Sequence, residues 1–461
     1  MYFCDVSKMQ KMGSNWFLYF SVLSVNLMTF TSNIGFSWTS PFLPKLKGVL
    51  GPENNPLPEP ITVLEESWIT TIISIGSLCG PLFTGQIANR IGKKMTLVLF
   101  SIPMLLSNVV LIFANRVFHF YIARFLLGLG FGCVYCIVPP FVAEISNVSN
   151  RGKTALLLTF MNSLSHVSVV SIGPYVSVRT FAYLSLIPSL LFFSTFLPFV
   201  PESPYYYVSN KDTNKAMASL QKFRQTADVK DELNEIIINN EQTQEKGSFK
   251  DVVASKVVLK GLFITICLML GQQLSGIQPI NAYQQDIFRS TSSTIPSEIS
   301  VIIVAIAQFL TVFLAMVLID RLGRKKLLMI SYSGILISLI SVGAYFFLQE
   351  QNINVDNIFW VPVTSTCLLM VSFRFGSGPV TWSFVAEIFP SNLKNTLTPI
   401  VTISMVFFGF VATFTFPLMF MYLGQSFTFW VFGVCTLSVL LFIYFYVPEI
   451  KGKSFLEIQN I

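Results

Sequence analysis

Twelve stretches of the chain are each long and apolar enough to cross a lipid bilayer. They lie near residues 16–36, 67–88, 96–114, 118–142, 154–177, 181–199, 259–285, 299–319, 327–348, 358–386, 397–422 and 427–447. A spanning helix needs about 20 mostly apolar residues. In lipid no water can satisfy the backbone, so each segment must bond to itself as a helix. The expectation is an all-α membrane protein with twelve transmembrane helices. Charged residues make up 11% of the 461 and apolar ones 53%, whereas a soluble domain has about 25% charged. A soluble enzyme, a disordered protein and a secreted disulfide scaffold are thereby excluded. No cleavable leader is evident before the first stretch. Cys133 and Cys136 form a CxxC, but no second pair or histidine cluster completes a zinc site. No metal and no cofactor are expected. No phosphate-binding Walker loop is present, so ATP drive is not expected.

Lysine and arginine then orient the segments. With the amino terminus inside, 23 of them fall in inner regions and 6 in outer regions. That asymmetry places both termini in the cytoplasm. It also accounts for the net charge of +7 without a nucleic-acid partner. The sequon Asn147-Val148-Ser149 falls inside and should stay unmodified. The one long polar insertion, 201–258, has helical stretches at 214–224 and 229–239. It divides an amino-terminal six-helix bundle (1–200) from a carboxy-terminal bundle with a short tail (259–461).

The two halves repeat. After the second stretch comes Asn89-Arg90-Ile91-Gly92-Lys93-Lys94, and after the eighth Asp320-Arg321-Leu322-Gly323-Arg324-Lys325. Val142-Ala143-Glu144-Ile145 before Arg151 matches Val385-Ala386-Glu387-Ile388 before Lys394. Pro201-Glu202 after the sixth stretch matches Pro448-Glu449 after the twelfth. Inner-loop basicity alone explains the cations but not the repeated acids. The pattern implies two homologous bundles with a binding site between them at mid-membrane, the parallel repeat of the major facilitator architecture. Asn89, Arg90, Glu144, Arg151, Glu202, Asp320, Arg321, Glu387, Lys394 and Glu449 are the candidate cytoplasmic gate. Pairs of this kind near a surface are individually weak, so they can break as the bundles rock.

These motifs resemble the sugar porter family of the major facilitator superfamily over almost the whole chain. Further matches are Arg124-Phe125-Leu126-Leu127-Gly128, Pro201-Glu202-Ser203-Pro204, Gln272-Gln273-Leu274-Ser275-Gly276-Ile277 and Gly378-Pro379-Val380-Thr381-Trp382. Ser37-Trp38-Thr39-Ser40-Pro41 and Glu66-Ser67-Trp68-Ile69 are most similar to the insect facilitated trehalose transporters.

A sugar presents hydroxyls that donate and accept, and an apolar face. Its site calls for side-chain amides, which also do both, and an aromatic platform. The seventh stretch supplies Gln272, Gln273, Gln278 and Asn281, beside Gly271, Gly276 and Pro279, which should interrupt the helix. The eighth supplies Gln308, and the tenth Trp382 behind a breakable Gly376-Ser377-Gly378-Pro379. Interhelical hydrogen bonding is the other use such amides have in a membrane. The resemblance implies sugar contacts for Gln272, Gln273 and Trp382. It also implies that Gln278 and Gln308 replace asparagines, and that Thr159 replaces a glutamine. Asn89, Thr381, Val406, Asn281 and Ala282 depart from the family pattern. Arg374, within the tenth stretch, has no evident partner.

None of the 23 acids lies mid-span, and Ser37 stands where proton-coupled relatives hold Asp. His166 is the single candidate for a buried relay, although a lone buried histidine is more often a packing residue. The expected function is a facilitative (uniport) carrier of trehalose or glucose/hexose in the plasma membrane, working by alternating access. Its partners would be the small-molecule sugar and the lipid bilayer, with no obligate protein partner. The alternatives are a porter for a polyol or organic anion, to which Arg374 points, and a non-transporting sugar sensor. The fourteen residues after Val447 are short for a signalling tail.

Overall fold

The computed structural model describes residues 15–49, 55–147, 149–242, 256–389 and 391–449, and these form helices with no strand among them. The amino half is α1 (Trp16–Ser37) with a short continuation α2 (Thr39–Leu46), then α3 (Val63–Ile91), α4 (Lys93–Ile112), α5 (Val117–Ile145), α6 (Arg151–Ile172) and α7 (Val178–Phe199). Three amphipathic helices follow, α8 (Pro204–Ser209), α9 (Thr213–Arg224) and α10 (Lys230–Gln242). The carboxyl half is α11 (Lys256–Leu274), α12 (Ile277–Ala282), α13 (Gln284–Arg289), α14 (Ser297–Leu322), α15 (Arg324–Glu350), α16 (Val361–Ser372), α17 (Gly378–Ile388), α18 (Ser391–Tyr422) and α19 (Gln425–Tyr446). Eleven stretches are long and apolar enough to cross a membrane, and the apolar Ser297–Phe313 of α14 supplies a twelfth crossing. An even number of crossings brings both chain ends to one end of the bundle, here the terminal end. The opposite end is the far end.

Local chemistry explains where helices begin. α3 starts at Val63, four residues before the apolar run that sequence periodicity picks out. Thr62 and Glu65 form a capping box: Glu65 N donates to Thr62 Oγ1 (3.3 Å) and Thr62 N to Glu65 Oε2 (2.8 Å). Two orphan donors of the first turn are thereby satisfied, and the acids that look like loop belong to the helix.

The sequence repeat is a repeat of atoms. Gly92 (φ +90°) and Gly323 (φ +84°) join α3 to α4 and α14 to α15. At the start of α4, Lys94 N donates to Glu202 Oε2 (2.9 Å). At the start of α15, Arg324 N and Lys325 N donate to the two oxygens of Glu449 (2.9 and 3.1 Å). A carboxylate at a helix N-terminus satisfies free N–H groups and opposes the helix dipole. Only glycine fits here, because a Cβ on Gly92 would stand 2.1 Å from Glu202 Oε2.

α8–α10 share a small core of Val208, Ala216, Leu220, Val229, Leu233 and Ile236. They are moored to the amino half. Ser219 Oγ donates to Glu202 O (2.6 Å), and Arg224 donates to Ile145 O (2.6 Å) while pairing with Glu232 (2.6 Å).

Candidate functional site

The seventh crossing is broken where the amides cluster. α11 stops at Leu274, Gly276 takes φ +76°, and α12 restarts at Ile277. Gln272, Gln273 and Gln308 are buried, at 5%, 4% and 4% exposure. Gln272 Oε1, Gln273 Oε1, Asn281 Oδ1 and Gln308 Nε2 have no protein hydrogen-bond partner. Buried polar atoms are nearly always partnered, and in a low-dielectric interior an orphan is costly. The amide atoms of Gln272, Gln273, Asn281 and Gln308 are therefore left with hydrogen-bonding capacity that the protein does not use. Gly409 of α18 permits the grouping: a Cβ there would lie 2.5 Å from Gln278 Oε1 and 3.0 Å from Gln273 Oε1. Nothing in an apolar run flags that glycine at the level of sequence.

The remaining candidates sit as follows. Thr159 is half-buried on α6. Its neighbour Phe160 meets Phe309, the neighbour of Gln308, with ring centroids 5.5 Å apart, so the halves meet beside both polar groups. Trp382 lies on α17 and is 39% exposed. Between α16 and α17 the chain makes a π-turn, Phe373–Ser377. This is the interruption expected from Gly376–Pro379, placed a few residues earlier. Such turns recur at functional sites because the extra residue re-aims side chains.

At the far end the halves are tied together. Lys47 Nζ lies 2.6 Å from Glu66 Oε1 of α3 and 2.9 Å from Asp286 Oδ2 of α13. Burial pulls the Lys47 ammonium down, but Asp286 and Glu66 together outweigh it and hold the group above the ordinary lysine value. Trp68 packs edge-on to Phe414 (5.2 Å) and against Phe410 (6.3 Å), both on α18. Tyr283 stacks on Phe416 (5.3 Å). A cavity of about 190 Å³ lined by Lys47, Glu66, Tyr283, Asp286 and Phe416 lies at this junction. Sequence reasoning reads Lys47 only as an outer-side cation; its partner in the other half is 239 residues away.

At the terminal end the acids pair within their own halves. Glu144 pairs with Lys93 and accepts from Ser203 Oγ (2.6 Å). Glu387 pairs with Arg324 (3.2 Å). Asn89, Arg90 and Arg151 are exposed, and the carbonyl of Arg90 accepts from Tyr206 Oη (2.8 Å). In this conformation the partners of Glu144 and Glu387 are thus the first cations of α4 and α15. Arg90 lies on the outer side of the last turn of α3. The side chains of Asp320, Arg321 and Lys394 lie outside the described residues.

Two buried cations of the amino half are satisfied by backbone. Arg124 donates to Ile69 O (3.0 Å) and Gly35 O, and Lys45 to Gly173 O (2.7 Å) and Val176 O. His166 is 3% exposed, with Nδ1 2.9 Å from Ser37 Oγ and no partner at Nε2. Its neighbour is a hydroxyl, not an acid.

A family model described as sugar (and other) transporter matches residues 15–461. A protein of Anopheles gambiae named facilitated trehalose transporter Tret1 is 32% identical over 451 residues, which is 96% of this chain and 56% of that protein. A protein of Culex quinquefasciatus with the same name is 30% identical over 444 residues, 95% of this chain and 84% of that protein. The chain therefore spans little more than half of the first relative and most of the second. Among solved structures, the inward open conformation of the xylose transporter XylE from E. coli superposes with a TM-score of 0.79 at 21% identity, covering 96% of this chain and 99% of that one. The partially occluded inward open conformation gives 0.78. The fold is that of XylE, a major facilitator superfamily protein.

Proposed function

This chain belongs to the sugar (and other) transporter family, and from that premise we propose that it is a facilitative carrier of trehalose or glucose, working by alternating access in the plasma membrane. The observation that carries the reading is the set of orphaned amide atoms on Gln272, Gln273, Asn281 and Gln308. Side-chain amides suit sugar hydroxyls, which donate and accept, and the amide oxygens of Gln273 and Gln278 converge on Gly409. Trp382, partly exposed on α17, supplies the apolar platform. The name of the mosquito relatives favours trehalose.

Energy coupling follows from what surrounds the buried charges. Arg124 is bonded to carbonyls and His166 to Ser37. The candidate acids sit at helix ends: Glu66 and Asp286 at the far end, Glu144 and Glu387 at the terminal end. A carrier without a mid-membrane carboxylate has no group suited to loading a proton, so transport runs down the sugar gradient. Positive-inside asymmetry favours a cytoplasmic terminal end. The working units are then residues 1–200 and 259–461, joined by 201–258. Closure at Lys47 and Trp68 alternates with closure at the terminal end as the units rock.

Uptake of labelled trehalose and glucose into oocytes, at two outside pH values with and without a protonophore, tests this. Sugar uptake indifferent to the proton gradient is expected. Uptake that collapses with the protonophore would overturn uniport, and absence of both uptakes at normal surface level would overturn the substrate.

A further inference from the structure

The far-end cavity of about 190 Å³ is larger than its ion pairs need. One water occupies about 10–15 Å³ of such space, so there is room for on the order of a dozen heavy atoms, as a hexose has. Met421 lines the cavity and is 62% exposed, so the cavity opens to the surface. Its lining includes none of the candidate amides. On α18, Gly409 stands beside Gln278, and Phe416 stacks on Tyr283. The seven residues of helix between Gly409 and Phe416 span about 10 Å at 1.5 Å each. The cavity and the amide cluster are therefore different places.

Part of the lining is aromatic. Tyr283 stacks on Phe416 (5.3 Å between centroids) and Phe416 on Phe420 (5.4 Å). Part is charged. Lys47 Nζ lies 2.6 Å from Glu66 Oε1 and 2.9 Å from Asp286 Oδ2. The ammonium uses two of its three hydrogens there, and each carboxylate keeps a second oxygen. Tyr283 is 2% exposed, and its Oη meets no protein partner at hydrogen-bond geometry. A buried phenol usually finds one. The lining thus holds a hydroxyl that the protein itself does not use.

Stacked rings beside charged and hydroxyl groups suit a pyranose, which has an apolar C–H face and an edge of hydroxyls that donate and accept. A simple anion is disfavoured, because the lining carries two acids and one cation. An apolar ligand would strand Lys47, Glu66 and the Tyr283 hydroxyl. An organic cation such as choline is the competing ligand, since rings and acids both attract it.

We propose that this cavity is a second sugar site, a vestibule on the far side of the amide cluster. It takes one pyranose ring, with Phe416 and Phe420 at the C–H face and Tyr283 Oη, Lys47, Glu66 and Asp286 at the hydroxyls. The proposal rests on the sugar reading for the class of ligand. Lys47 and Glu66 come from the amino half, and Tyr283, Asp286 and Phe416 from the carboxyl half. The site is therefore whole only while the far end is closed.

The test uses the full-length, cysteine-depleted chain purified in detergent, with Met421→Cys reporting the mouth of the cavity through its rate with a maleimide. Trehalose or D-glucose should slow that rate several-fold, and glycerol at equal concentration should not. The slowing should persist in Gln272→Ala/Gln273→Ala, where the amide cluster is disabled. Tyr283→Phe keeps the ring and removes Oη, so the half-protecting concentration should rise about fivefold, one net hydrogen bond. Slowing that vanishes with the amides overturns the vestibule and leaves the sugar reading standing. So does the absence of slowing in a chain whose oocyte uptake of sugar is normal. Slowing by sugar without uptake of either sugar supports the site and overturns the carrier reading; absence of both overturns both. Slowing by choline and by neither sugar overturns the ligand class. An unmoved half-protecting concentration in Tyr283→Phe overturns the site as drawn, and decides the matter should the amide variant fail to fold.

Discussion

Replacing Gly409 with alanine separates a sugar-binding role for Gln273 and Gln278 from a packing role. The new Cβ would stand 2.5 Å from Gln278 Oε1 and 3.0 Å from Gln273 Oε1. Both amides must retreat, and both can, since each ends a flexible side chain. The fold should lose little, because alanine is favoured over glycine inside a helix by about 1 kcal/mol, which offsets the strain of moving two amide groups. The ligand loses more. Each displaced amide forfeits one net hydrogen bond of about 1 kcal/mol. Two make about 2 kcal/mol, roughly a 30-fold rise in Kd at 1.4 kcal/mol per decade. The assay is the concentration dependence of trehalose and glucose uptake in oocytes, normalised to surface protein, alongside thermal unfolding in detergent. KM should rise roughly 30-fold while Tm stays within about 2 °C. A KM within about threefold of the original, at normal surface level, would refute the placing of these amides on the sugar.

Other perturbations follow from the same geometry. Lys47→Met leaves Glu66, with a side chain 4% exposed, lacking its counter-charge. Breaking a fully buried pair costs about 3–5 kcal/mol, and with Lys47 itself 28% exposed we expect about 1–2 kcal/mol here. A cysteine at Phe416 in a cysteine-depleted background should then react several-fold faster with an impermeant thiol reagent. An unchanged rate would mean that Lys47 does not hold the far end shut. The Lys47 ammonium is held above its ordinary value, so its own charge is lost only as pH rises beyond the lysine range. Gly92→Ala forces a side chain into an extended positive-φ backbone (φ +90°, ψ 162°) that is essentially glycine's alone, at about 1–3 kcal/mol, and into Glu202. Tm should fall by about 1–3 °C, and by less for Gly323→Ala, whose Cβ would meet Glu449 at 2.9 Å rather than 2.1 Å. Equal or absent shifts would contradict the clasp. Ser37→Asp sets a carboxylate beside His166, where Ser37 Oγ now lies 2.9 Å from Nδ1. Uptake by that variant should become sensitive to outside pH, and a flat profile would show that an acid there does not suffice.

The parts of this molecule that could be read from sequence are those fixed by length and local chemistry. Segment length in lipid yields the twelve crossings. Gly276 and the run Gly376–Pro379 announce interruptions because they weaken helix propensity wherever they sit. The repeated acids announce matching junctions in the two halves, where the sequence suggests a gate of acid–cation pairs and the structure sets Glu202 and Glu449 on helix N-termini. What resisted reading depends on which distant atoms meet. Lys93, rather than Arg90, reaches Glu144 because Gly92 turns the chain between them. Thr62 and Glu65 extend α3 beyond its apolar run by a reciprocal bond that hydropathy does not register. Lys47 and Asp286 come from opposite halves. Gly409 matters through the emptiness beside two amides, which leaves no mark on periodicity.

The paired clasps, Glu202 on the start of α4 and Glu449 on the start of α15, give the molecule a built-in reference. Nearly the same bond sits in two settings, and the one at Glu202 is loaded by the moored helices α8–α10. The same substitution made in each half cancels the intrinsic worth of the contact. The difference left over measures what the intervening segment adds to one side of the machine, without recourse to any second protein.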